Sequence, residues 1–156
     1  MEKIKIVIAD DNVSFCDILS NFLKKYEDIE ILTVVNNDED EIYAIDTLKP
    51  DIVITDLKKS EKYSGIDIIK KYGNNSEGPD FFVITASDYS EITKNNLRIV
   101  AFMQKPFSNY EKVIEELRRI KREKMQVLQV EQNIVYNTKK NSIFQKIKQL
   151  LKIEKR

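Results

Sequence analysis

Five positions in this 156-residue chain carry side chains that could do chemistry together, and each closes an apolar run. Asp10 and Asp11 follow the run 4–9, Asp56 follows 52–55, Thr85 ends 81–85, and Lys105 follows 100–104, with Pro106 next. Three carboxylates brought into one crevice repel one another unless a cation sits among them. An all-oxygen set with no histidine or cysteine suits Mg²⁺, which takes one or two carboxylates and keeps several waters. A lysine opposite would balance the remaining charge and could contact a phosphoryl oxygen. The chemistry such a set could support is phosphoryl transfer, with a carboxylate nucleophile, a metal and a cation that neutralises developing charge.

These residues can meet only if the runs before them are strands of one sheet. The runs 4–9, 52–55, 81–85 and 100–104 are apolar and rich in β-branched or aromatic residues, as strands buried on both faces are. A weaker fifth run covers 30–35. Helix-like stretches alternate with them. Residues 14–26 place Phe15, Ile18, Leu19, Phe22 and Leu23 on one face, and 38–48 opens with acidic residues that suit a helix N-terminus. Further helices are expected over 65–72, over the polar stretch 90–98, and over 108–122 with Ser108 as its N-cap. Regular alternation predicts an α/β fold with a five-stranded parallel doubly wound sheet of order 2-1-3-4-5. In such sheets ligands bind outside the carboxyl ends of the strands. The rule brings all five chemical positions to one rim.

Composition narrows the rest. There is no histidine, so no His base, His-based metal site or His-dependent triad exists. One cysteine, Cys16, allows no internal disulfide and fits a reducing cytoplasm; its place in a helical pattern reads as a small buried residue. No apolar run is long enough to span a bilayer. Charge is uneven: residues 1–117 hold 14 Lys/Arg against 23 Asp/Glu, a formal −9, and residues 118–156 hold 12 against 3, a formal +9. The expected division is a domain over 1–122 and a basic helical extension or linker over 123–156. A break is expected over 133–138, then a final helix with Ile143, Phe144, Ile147, Leu150 and Leu151 on one face.

Four motifs, in order and at strand ends, resemble the response-regulator receiver family over roughly residues 3–120. They are Ile6-Val7-Ile8-Ala9-Asp10-Asp11-Asn12, Ile52-Val53-Ile54-Thr55-Asp56-Leu57, Val83-Ile84-Thr85-Ala86 and Phe102-Met103-Gln104-Lys105-Pro106-Phe107. The resemblance implies a flavodoxin-like fold and a phosphorylation switch of a two-component system rather than a turnover enzyme. It implies Asp56 as phosphoacceptor, and Asp10, Asp11, Asp56 and the backbone carbonyl of Lys58 as ligands of Mg²⁺. Thr85 and Lys105 would contact phosphoryl oxygens. On phosphorylation Thr85 would move toward Asp56 and the ring of Phe102 would swing inward, changing the face built by the fourth and fifth units. The bond before Pro106 would be cis. A sensor histidine kinase or phosphotransfer protein would be the donor. A homodimer could form through the 4–5 face or the C-terminal helix. DNA would be reached only through the basic tail or an output domain beyond residue 156.

The loop after the acceptor departs from the family pattern. The family usually has an apolar residue and a proline three and four positions on; here they are Lys59 and Ser60, and Gly65 lies one residue later than usual. Lys58 and Ser87, flanking the site, are expected to tune dephosphorylation. Three other readings compete. A phosphatase of haloacid-dehalogenase type would need a second Asp two residues after the nucleophile, where Lys58 stands. A flavodoxin-like binding module would need a phosphate-cradling loop where Asp10 and Asp11 stand. A degenerate receiver would not need the intact acidic, threonine and lysine set.

Overall fold

The structure is a computed structural model that describes residues 2–60, 64–75 and 77–153, with side chains to residue 150. Its elements alternate as β1 (Ile4–Ala9), α1 (Val13–Leu23), β2 (Ile29–Val35), α2 (Asp38–Leu48), β3 (Ile52–Thr55), α3 (Ser64–Tyr72), β4 (Asp80–Thr85), α4 (Ser90–Lys94), β5 (Ala101–Gln104) and α5 (Glu111–Ile153). The strands pair in parallel in the order β2-β1-β3-β4-β5.

The side-chain period of two sends alternate residues of each strand to opposite faces. Ile4, Ile6 and Ile8 of β1 and Ile52 and Ile54 of β3 pack with Cys16, Leu19 and Leu23 of α1 and with Val113, Ile114, Leu117 and Ile120 of α5. Val7, Ala9 and Val53 face the other way, into a layer with Ala44 and Ile45 of α2, Ile66, Ile68 and Ile69 of α3, and Ile92 of α4. Both faces of β1 and β3 are therefore covered, which is why their sequences read as continuous apolar runs. Truncating the fully buried Ile8 to Ala costs about 2–5 kcal/mol.

The helix starts matter to the rim. The N-cap of α1 is Asn12, whose side chain accepts from the Phe15 amide, so Asp10 and Asp11 do not serve as that cap. Asn37 caps α2 in the same way by accepting from the Asp40 amide, and four acidic residues follow in its first turn.

Several sequence expectations are corrected. Ile18 is exposed rather than on the packed face of α1. Helix α4 stops at Lys94, well short of 98, because Asn96 adopts φ 51°. Helix α5 starts at Glu111 instead of after Ser108. It then continues without the break expected at 133–138. No glycine or proline lies in that stretch, and the Thr138 hydroxyl bonds back to the Ile134 carbonyl at 2.8 Å, so the polar residues are absorbed by the helix. The chain divides into two units, Met1–Ile120 and Lys121–Arg156.

Candidate functional site

The carboxyl ends of β1, β3, β4 and β5 deliver the expected residues to one place. Carboxylate oxygens of Asp10, Asp11 and Asp56 lie within 4.8 Å of one another. Asp10 and Asp56 are buried and Asp11 is exposed at the mouth. Asp56 is held on both carboxylate oxygens: Oδ1 accepts from the Thr85 hydroxyl at 2.6 Å and the Lys58 amide at 3.1 Å, and Oδ2 accepts from the Lys105 ammonium at 3.0 Å. The same ammonium bonds to Asp10 Oδ2 and lies 4.3 Å from the centroid of the Phe15 ring. Asp10 Oδ1 accepts from the Asn12 amide at 2.9 Å, and Asp11 Oδ2 from the Ser60 amide at 2.7 Å. The Lys105–Pro106 bond is cis.

Electrostatics follow from burial and crowding. Burial pushes the Asp10 carboxyl up, with Asp56 adding to it, against the Lys105 hydrogen bond and the Asn12 amide that favour the carboxylate. For Lys105 burial acts to lower the ammonium, but the hydrogen bond and charge of Asp10, helped by Asp56, outweigh it and hold it above its ordinary value. Cys16, beside this pocket, is pushed up to about 11, first by burial and then by the charge of Asp10. It is buried, as its helical position implies.

The donor set fits a hard divalent cation. All the acidic ligand atoms are oxygens, one carboxylate faces solvent, and the Lys105 ammonium meets the two buried ones. Lys58 sits in the loop beside Asp56, exposed, with its amide turned to the Asp56 carboxylate. Phe102 is half-buried, its ring edge-on to Tyr89 with centroids 5.0 Å apart. Thr85 already bonds to Asp56, whereas the sequence reading has it gain that bond on phosphorylation.

Residues outside the four motifs also pack around the Asp56 main chain. Gly65 passes so close to Asp56 that a Cβ there would stand 2.2 Å from its carbonyl oxygen. Lys59 is buried rather than solvated, and pairs with Glu41 at 2.8 Å and Asp38 at 3.5 Å. Burial pushes the Glu41 carboxyl up, opposed by the charge of Lys59. A signal for Glu41 existed: it stands three and four residues before Ala44 and Ile45, in register with the core face of α2. Residues 61–63 of the atypical loop lie outside the described residues.

The response regulator receiver domain family model matches residues 6–118. The chain belongs to that family. This receiver is 26% identical over 133 residues to the sensory transduction protein LytT of Bacillus anthracis, which covers 84% of this chain and 52% of that protein. The chain thus spans about half the length of that relative. Among solved structures, the response regulatory domain of mrkE from Klebsiella pneumoniae superposes with a TM-score of 0.68 at 18% identity, covering 78% of this chain and 98% of that one. The isolated receiver domain of RcsB from Salmonella enterica serovar Typhimurium, solved with the phosphomimetic BeF3⁻, gives 0.62 at 18% identity, covering 76% and 99%. A LuxR-family DNA-binding response regulator from Staphylococcus aureus gives 0.64 at 19%, covering 74% and 97%. These likenesses share the doubly wound fold of this receiver. No helix among the described residues is long and apolar enough to cross a membrane.

Proposed function

We propose that this receiver is a phosphorylation-dependent switch in which Asp56 accepts a phosphoryl group, with Mg²⁺ held by Asp10, Asp11, Asp56 and the backbone carbonyl of Lys58. One observation carries the reading. The Asp56 carboxylate is gripped on one oxygen by the Thr85 hydroxyl and on the other by the Lys105 ammonium, beside two further carboxylates. These 156 residues hold no histidine, and the donor we propose is a sensor histidine kinase or a phosphotransfer protein.

In the transfer an Asp56 oxygen forms a bond to phosphorus as the donor's phosphorus–nitrogen bond breaks. The imidazole leaves with the bonding pair and takes up a proton. Bound Mg²⁺ would supply charge neutralisation at the phosphoryl oxygens. Lys105, which grips Asp56 Oδ2, adds to it, and Thr85 turns its donated hydrogen bond from the carboxylate to a phosphoryl oxygen. The acyl phosphate carries roughly −1.5 to −2 charges where the carboxylate carried −1. Thr85 follows it, Phe102 leaves the edge of Tyr89 and turns inward, and the face of α4 and β5 changes. Lys58 and Ser87 set the lifetime of the adduct; an unchanged half-life after replacing both would rule that role out.

As a two-component switch the chain is read as cytoplasmic and not as a turnover enzyme. Transcriptional output through a further domain is the reading supported by neighbours described as DNA-binding. The stretch of α5 beyond residue 120 is basic and exposes Val127, Leu128, Ile134 and Val135, a face suited to pairing two copies, while its lysines suit a phosphate backbone. The 4–5 face is the other candidate for a homodimer. Light scattering on the full chain and on residues 1–122 separates the two.

The reading is tested by adding beryllofluoride with Mg²⁺ and following amide resonances. Saturable shifts at Thr85 and Phe102 are expected. No shift at either would refute it.

A further inference from the structure

Behind the acceptor, toward α2, lies a second cluster of charges that the proposed switch does not use. The side chain of Lys59 is only 1% exposed and that of Glu41 0%. The Lys59 ammonium donates to the main-chain carbonyl of Asp56 at 3.0 Å while standing 2.8 Å from Glu41 Oε2 and 3.5 Å from Asp38 Oδ1. Both acids belong to the first turn of α2, whose N-cap Asn37 fixes where that turn begins. A buried ion pair is a weak device for stability, because apolar residues of similar volume often do as well or better. The geometry offers a different role.

Three consecutive residues after Asp56 each bind a residue of the acidic pocket. The Lys58 amide holds the Asp56 carboxylate, the Lys59 side chain holds the Asp56 carbonyl, and the Ser60 amide holds the Asp11 carboxylate. The last contact depends on backbone shape, since Ser60 sits at φ 48° in the left-handed region. The Lys59 side chain also reaches ion-pair partners on another element, α2. It therefore anchors the turn that orients the other two.

We propose that Lys59 is a positioning residue: clamped by Glu41 and Asp38, it ties the turn 58–60 to the start of α2 and so holds Asp56 and Asp11 in the arrangement that binds the cation. The inference rests on the Mg²⁺ reading of the pocket. Partners that hold metal ligands in place typically matter about 10-fold or more in affinity.

The test separates stability from positioning. Native chain, Lys59→Met and Lys59→Met/Glu41→Leu are compared by thermal midpoint and by Mg²⁺ affinity from an amide chemical-shift titration. Lys59→Met leaves Glu41 buried without its counter-charge and is expected to lose midpoint and affinity together. The double variant removes both charges and is expected to regain most of the midpoint while still binding Mg²⁺ about 10-fold more weakly than the native chain. If the single variant does not fold, the double carries the test. A double variant that binds Mg²⁺ as tightly as the native chain, or that fails to regain the midpoint, overturns the proposal. A native chain that does not bind Mg²⁺ overturns the metal reading and the clamp with it. That failure shows in the native chain alone, before any variant is compared.

Discussion

Thr85 and Asp56 are already joined across the β3–β4 edge: the hydroxyl donates to Asp56 Oδ1 at 2.6 Å. Thr85 is itself fixed, its oxygen accepting from the Ser87 amide at 3.2 Å and its carbonyl from the Lys105 amide at 2.8 Å. The hydroxyl thus stands where charge would appear if, as proposed, the carboxylate is phosphorylated, and little reorganisation would be needed to use it.

Thr85→Ala removes that donor. Adduct formation on Asp56 is expected to slow by about 10-fold or more while the adduct still forms at the same residue. A mass time course with a small phosphodonor checks this; a native rate in the variant would remove Thr85 from the transfer.

Asp10 is expected to trade stability for function. Its folded pKa is raised by burial, so the native state binds that proton more tightly than the unfolded chain does. The contribution favours folding below the unfolded value and is lost as pH rises through the folded one, which leaves an ionised Asp10 costly at neutral pH. Asp10→Asn should raise the melting midpoint at pH 7 by about 2–4 °C while weakening Mg²⁺ binding. A lowered midpoint would show that the Lys105 pair outweighs the burial.

The Asp28–Arg118 pair has the opposite sign. Arg118 donates twice to Asp28, at 2.7 and 2.9 Å, and chiefly through this hydrogen bonding holds its carboxyl below the ordinary value. The stability it gives is present above the unfolded pKa and is lost as pH falls through the folded one. Both groups are partly solvated, so Arg118→Ala should cost about 0.5 kcal/mol at pH 7, shrinking toward zero as pH falls below the carboxylate range. Urea midpoints at several pH values check this, and a constant difference would contradict it.

Gly65→Ala would drive a methyl to 2.2 Å from the Asp56 carbonyl oxygen and 2.9 Å from the Leu57 Cα. Both neighbours are backbone and cannot step aside like a side chain. A loss of about 2–3 kcal/mol in unfolding free energy is expected, together with slower phosphorylation. An unchanged denaturation midpoint would show that α3 can shift freely.

What the sequence exposes best is whatever local pattern decides. Apolar runs that stop at Asp10, Asp56, Thr85 and Lys105 place those residues at strand ends, and parallel pairing does the rest. Lys59 was visible as an odd residue but not as a buried one, because its partner Glu41 lies on another element and matches no motif. The same limit hid the Ser60 amide, whose role depends on a left-handed backbone rather than on its side chain. Asn133, Asn137 and Thr138 have weak helix propensities, but without glycine or proline they do not stop the helix, so the break expected over 133–138 is absent.

The central claim is that Asp56 is the acceptor, and the most direct measurement is intact mass after incubation with a small phosphodonor and Mg²⁺, comparing the native chain with Asp56→Asn. One Mg²⁺-dependent phosphoryl adduct on the native chain and none on the variant is the expected result. An adduct that persists on Asp56→Asn, or no adduct on the native chain, would contradict the account.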